Sequence, residues 1–189
     1  MVAGIIIMAA GRSERFIQSG ATGNKLNAPF GHHSVFSASL THALASGLPA
    51  HVVTRPDNTA VQSVCEARLV SYTLLESTGL GDSIAAGVAA TPHWSGWLIH
   101  LADMPFVPAA IFCQVARLLG EHSVVRPFYF ERPGHPVGFS QMLRNELLAL
   151  SGDQGAQTLL SRYSVYALEC DTGTILQDID LPSHLPAGA

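Results

Sequence analysis

The chain has 189 residues, 48% hydrophobic and only 13% charged, with a net charge of −4. That length suits one domain with a full core, and the acidic balance argues against a nucleic-acid polymer as partner, because such proteins carry a basic surplus. Cys65, Cys113 and Cys170 are odd in number and show no Cys-x-x-Cys spacing, which excludes a disulfide framework and fits a reducing, cytoplasmic setting.

Residues 2–8 form a continuous apolar run, the pattern of a strand buried on both faces. No basic region precedes it and glycines bracket it, so it reads as a strand and not as a signal peptide. Residues 35–45 read as a helix, 51–54 as a strand, 58–67 as a helix and 69–75 as a strand. A short helix follows at 83–90, then a strand at 97–101. A helix spans 108–119, with Pro108 in its first turn where the missing N–H is harmless. Residues 123–125 read as a strand, 139–150 and 155–161 as helices, and 164–168 as extended. This alternation predicts an α/β fold: a single Rossmann-like domain over 1–189, with a mainly parallel sheet and helices on both faces. No apolar stretch is long enough to cross a bilayer. Ligands in such sheets sit beyond the carboxyl ends of the strands.

The first strand empties into Ala9-Ala10-Gly11-Arg12-Ser13. Small residues there let the backbone approach a ligand, and successive N–H groups in a turn form an anion nest. Arg12, Arg15 and Lys25 add positive charge, which suits a triphosphate. A tight turn with solvated charges is the competing reading. The loop is neither a Walker A motif nor Gly-x-Gly-x-x-Gly, which disfavours a dinucleotide site.

Asp103, in Leu101-Ala102-Asp103-Met104-Pro105, follows a strand directly. The next helix begins near Pro108, too far on for Asp103 to cap it. An acid so placed is a candidate ligand for Mg²⁺, which takes one or two carboxylates plus phosphate oxygens. In Gly79-Leu80-Gly81-Asp82-Ser83, Asp82 or Ser83 suits a helix N-cap, and the backbone at Gly81 with Ser83 faces a base or ribose; the two readings are compatible. Gly134-His135-Pro136 is a shaped loop in which His135 either bonds an acceptor or serves the turn. The other histidines lack zinc spacing. Asp178 and Asp180, two apart, point the same way if extended. One of them, taken as Asp180, completes the metal site, unless the segment is an exposed acidic turn.

In this order the pieces resemble the MobA-like nucleotidyltransferases, and most of all the molybdenum cofactor cytidylyltransferases. The shared signatures are Met8-Ala9-Ala10-Gly11-Arg12-Ser13-x-Arg15-Phe16, Asn24-Lys25-Leu26, Leu101-Ala102-Asp103-Met104-Pro105, Gly134-His135-Pro136-Val137-Gly138-Phe139, Gly152-Asp153-x-Gly155-Ala156 and Asp178-Ile179-Asp180-x-Pro182. The resemblance implies the nucleotidyltransferase fold and transfer of CMP from CTP to the phosphate of molybdopterin, with pyrophosphate leaving. It implies that Gly11, Arg12, Arg15 and Lys25 hold the triphosphate, and the loop readings above add Ala9, Ala10, Ser13, Gly81 and Ser83 to the expected nucleotide-binding residues. Lys25, Arg15 and Asp103 would be catalytic, with Mg²⁺ on Asp103 and Asp180. Gly134, His135 and Asp153 would border the acceptor, and a molybdoenzyme would receive the product. Guanylyl transfer, transfer to another phosphorylated small molecule, and a non-catalytic cofactor chaperone are the alternatives. Two departures stand out. The segment 17–23 is longer than the family turn, and Gln157 occupies a position where the family often has arginine.

Overall fold

The structure is a computed structural model that describes residues 2–77 and 79–186. The N-terminal apolar run becomes β1 (Gly4–Ala9), buried at every position. Its side chains alternate between two cores, with Ile5, Ile7 and Ala9 on one side and Ile6 and Met8 on the other. Ala10, just beyond the strand, joins the Ile6 side. A sheet buried on both faces needs helices on both faces, and the chain supplies them in turn.

A short helix α1 (Glu14–Gln18) follows the first loop, and a 3₁₀ turn spans Lys25–Asn27. A small hairpin of β2 (Pro29–Phe30) and β3 (His33–Ser34) leads to α2 (Val35–Ala45), whose N-cap Ser34 accepts from the Ser37 N–H. β4 (Ala50–Thr54), α3 (Thr59–Ala67, capped by Asn58) and β5 (Ser71–Leu74) extend the sheet to one edge. Next come α4 (Leu80–Ala90), β6 (Gly96–Leu101), α5 (Ala109–Leu118) and β7 (Val124–Tyr129). β8 (Arg132–Pro133) folds back on β7, and β9 (Val137–Ser140) follows. The last elements are α6 (Arg144–Leu148), α7 (Gln157–Arg162) and β10 (Val165–Glu169).

The sheet runs β10-β7-β9-β6-β1-β4-β5, with β8 paired to β7. The pairs β1–β4, β1–β6, β4–β5 and β7–β10 are parallel. β9 runs antiparallel between β6 and β7. Residues of α2, α3 and α5 fill the core on the Ile5 side, and residues of α4, α6 and α7 fill the core on the Ile6 side. The carboxyl ends of β1 and β6 therefore lie side by side, with Met8 opposite Leu101. That pairing brings the first loop and the Asp103 segment together. Among the described residues, no helix is long and apolar enough to cross a membrane.

The mainly parallel sheet agrees with the sequence reading, and several local expectations are corrected. Phe139 and Ser140 belong to β9 and not to a helix, because all four residues of that strand are buried between β6 and β7. α4 begins at Leu80 with Gly79 as N-cap, so neither Asp82 nor Ser83 caps it. Pro108 is the N-cap of α5 and not its first helical residue.

Candidate active site

The first loop turns sharply at Ser13, whose φ of 56° is left-handed for a residue with a Cβ. Such a conformation costs on the order of 1–2 kcal/mol and persists only where neighbours enforce it. Here the neighbours are Asn24 and Lys25. Ser13 Oγ accepts from the Lys25 N–H at 3.1 Å, Asn24 Nδ2 donates to Gly11 O at 3.3 Å, and Asn24 Oδ1 accepts from the Leu26 N–H at 3.0 Å. These bonds fix Lys25 beside the loop, whatever the length of segment 17–23.

Lys25 then reaches two acids. Its Nζ lies 2.6 Å from Asp103 Oδ2 and 2.6 Å from Asp180 Oδ1. Arg15 Nη1 contacts Asp180 Oδ2 at 3.1 Å. The C-terminal segment is held in place by the Ile179 N–H, which donates to Asp103 O at 2.8 Å, while the Ile179 side chain is buried. With Ile179 turned inward, Asp178 and Asp180 flank Asp103. One carboxylate oxygen from each of Asp103, Asp178 and Asp180 lies within 4.8 Å of the others.

The electrostatics follow from this packing. Burial pushes the Asp103 carboxyl above its ordinary range, and Lys25 opposes that only in part. Burial also works against the Lys25 charge, but Asp103 and Asp180 more than offset it and raise its pKa. Asp180 is pushed up by burial, yet Lys25 and Arg15 prevail and hold it below the usual carboxylate range. Asp103 Oδ1 is buried and has no hydrogen-bond partner. A buried, unpartnered carboxylate oxygen in a set of three carboxylates is a hard, all-oxygen donor set. It fits a magnesium-like cation, which accepts such ligands alongside phosphate oxygens.

A cavity of about 710 Å³ opens over this cluster. Ala10, Gly11, Arg12, Ser13, Arg15, Lys25, Ser83, Asp103, Asp153 and Asp180 all line it. A second cavity of about 380 Å³ is lined by Gly134, His135 and Asp178, and Leu101 borders both. The acids thus stand where two openings adjoin. Asp153 faces the larger cavity and not the one that holds Gly134 and His135, so the three residues expected on the acceptor side are divided. Ala9 faces the opposite core, where its carbonyl accepts from Thr54 Oγ1 at 3.3 Å. Ser83 is buried, and its hydroxyl donates to Ser77 Oγ at 2.8 Å.

Gly81 does not line the cavity. Its N–H donates to Gly152 O at 2.8 Å, and a Cβ there would lie 2.7 Å from the backbone of Ser151. Its role is to let α4 touch the 151–153 turn that carries Asp153. We expect Gly81→Ala to destabilise the fold by about 1–3 kcal/mol through overpacking, seen as a melting midpoint lowered by roughly 3–10 °C. An unchanged midpoint would show that the turn yields freely.

Two residues go beyond the sequence expectation. The sequence reading takes only one of Asp178 and Asp180 for the metal site, and both reach the cluster. Arg132 lines the smaller cavity, but an arginine beside a hairpin turn carries no sequence signal for this.

Two histidines bear on stability. Burial pushes His135 down to about 4, aided by the Arg126 guanidinium, and pushes the fully buried His100 down to about 3. Both are therefore neutral in the folded protein, whereas the unfolded chain protonates near pH 6.5. A base depressed in this way contributes stability that is complete above about pH 6.5 and is lost as pH falls through the folded value. Urea midpoints should drop between pH 7 and pH 4, and His135→Gln should flatten that slope. An identical slope in the variant would contradict a half-buried, neutral His135.

The same architecture occurs in solved structures. Rv0371c from Mycobacterium tuberculosis H37Rv superposes with a TM-score of 0.84 at 25% identity, over 97% of this chain and 95% of that one. A structure of Rv0371c in complex with manganese gives 0.78 at 23%, over 91% and 90%. A nucleotidyl transferase from Methanothermobacter, Mth528, gives 0.83 at 20%, over 97% and 94%. Comparison with curated proteins finds no match. The family model for the MobA-like NTP transferase domain matches residues 5–167. That span carries the first loop, Lys25, Asp103 and the His135 loop, so the chain belongs to the MobA-like NTP transferase family and is a nucleotidyltransferase domain.

Proposed function

We propose that this protein transfers CMP from CTP to the terminal phosphate of molybdopterin or its metal-loaded form, releasing pyrophosphate. The observation that carries the reading is the carboxylate trio of Asp103, Asp178 and Asp180, joined to Lys25 and Arg15 and standing between two adjoining cavities. The larger cavity takes the nucleotide and the smaller takes the acceptor. Asp103, with Asp180 and Asp178, would hold Mg²⁺; when bound, that ion supplies the positive charge that lets two phosphates approach. The manganese complex of Rv0371c supports a divalent ion in this fold.

The protein's own groups do the rest. Arg12, Arg15 and Lys25 line the nucleotide cavity and hold the triphosphate, so that charge building on the leaving pyrophosphate meets cations already in place. The acceptor phosphate has a second pKa of about 6 and is largely ionised at neutral pH, so no side chain need remove a proton. No covalent intermediate is implied. Ala10 supports the choice of CTP, because it is buried with Met8 and lines the nucleotide cavity. A Cβ at that point narrows the space beside a base and favours a pyrimidine.

Pyrophosphate release with Mg²⁺, molybdopterin and each nucleoside triphosphate in turn tests this reading. CTP should give the fastest release, and omitting the acceptor should stop it. Faster turnover with GTP would refute the nucleotide assignment. Release with CTP that is indifferent to molybdopterin would refute the acceptor.

A further inference from the structure

The smaller cavity is a built feature. Gly134 N–H donates to Pro127 O at 2.8 Å, Arg126 Nε donates to Gly134 O at 3.0 Å, and His135 N–H donates to Ile175 O at 3.1 Å. A Cβ at Gly134 would lie 2.5 Å from Ile175 O. The 134–135 loop is thus stitched to the 3₁₀ turn Gly173–Leu176, which leads directly to Asp178. Arg132, two residues before Gly134 and paired with Tyr129 across the β7–β8 ladder, lines the same cavity. The hairpin turn ahead of it holds Phe130 at a φ of 45° and Glu131 at 62°. Positive φ at both central residues is what a tight two-residue hairpin turn requires, and the turn sets Arg132 in register opposite Tyr129.

Few charged groups line this cavity. Asp178 is an acid, and burial keeps His135 neutral at pH 7. Arg126 reaches the loop from behind, through the Gly134 carbonyl, and does not line the cavity. Among the described residues, Arg132 is the one cation in the lining. The Gly152-Asp153-x-Gly155 segment lies against α4, and Asp153 lines the larger cavity.

We propose that Arg132 is the acceptor-binding residue that recognises a phosphomonoester in the smaller cavity. Its planar guanidinium can grip two phosphate oxygens at once, and the stitched loop fixes it relative to Asp178 and the acid cluster beyond. The inference rests on the reading of the site as one for nucleotidyl transfer, and it adds how that site selects a phosphorylated acceptor.

Isothermal titration tests it, using wild type, Arg132→Ala and Arg132→Lys, each saturated with Mg²⁺ and a non-hydrolysable CTP analogue. The probes are 6-hydroxymethylpterin monophosphate and inorganic phosphate. Arg132 is exposed, so the variants should melt with wild type. Wild type should bind the pterin monophosphate, Arg132→Ala at least about tenfold more weakly, and Arg132→Lys in between. Affinity for the CTP analogue should be equal in all three proteins. Equal pterin phosphate affinity in wild type and Arg132→Ala overturns the proposal, and so does a wild type that binds neither probe. A matching loss of CTP-analogue affinity would assign Arg132 to the nucleotide instead. If Arg132-dependent binding is present but no CMP transfer occurs, Arg132 stands and the proposed reaction falls.

Discussion

Asp103→Asn should lower turnover by at least about 10³ and leave the fold intact. Asparagine keeps the shape of the side chain and removes its charge, so phosphate repulsion at the cluster is no longer offset by an anchored cation. Losing one preorganised electrostatic group of this kind costs about 10²–10³ in rate, and loss of the metal adds to that. Stability should move little, or rise. Burial already penalises the Asp103 charge, which is why its pKa is raised, and Lys25 keeps Asp180 as a partner at 2.6 Å. A neutral side chain removes the desolvation cost together with the pair. The variant should therefore melt within a few degrees of wild type while releasing almost no pyrophosphate. Release at the wild-type rate would remove Asp103 from the chemistry.

Lys25→Met should lower turnover by about 10²–10³, the cost of one preorganised donor to the leaving group. Methionine keeps most of the stem and drops the ammonium. The same variant should bind Mn²⁺ more tightly than wild type when no nucleotide is present. In the wild type the ammonium sits 2.6 Å from both Asp103 and Asp180 and competes with any cation for them. Electron paramagnetic resonance of free Mn²⁺ reads this directly, and the two effects have opposite signs. A generally damaged site would lose both turnover and metal. A rate change under twofold would show that Lys25 serves only to neutralise the acids.

The parts of this site that are legible in the sequence are those set by local chemistry. The unbroken apolar run at the N-terminus reads as a strand buried on two faces, as β1 is, and the loop of small residues and cations at its end is where the sequence expects an anion. Asp103 stands out because no helix starts close enough to need it. The spacing of Asp178 and Asp180 shows two acids on one side of an extended segment. What the spacing cannot show is the bond from Ile179 to the Asp103 carbonyl that brings both acids to the cluster. That is a tertiary contact made across the site.

The failures have the same cause. Val137-Gly138-Phe139-Ser140 is too short and too uniformly apolar for periodicity to separate strand from helix, and only insertion between β6 and β7 makes it β9. The five-residue α1 is too short to show a helical period. Gly81 reads in sequence as part of a ligand loop, and in the structure it packs against the Ser151 backbone and is absent from the cavity lining. The resemblance puts Asp153 and His135 on the acceptor side together, yet α4 draws the 151–153 turn to the larger cavity while Ile175 draws His135 to the smaller.

The central claim is that a divalent ion sits on the acids between the two cavities. A crystal of the protein grown with Mn²⁺ and a non-hydrolysable CTP analogue tests it directly. An anomalous peak should lie about 2.0–2.3 Å from Asp103 Oδ1 and from a phosphate oxygen of the analogue, with a carboxylate of Asp178 or Asp180 beside it. A peak on the triphosphate that touches none of the three acids would contradict the account.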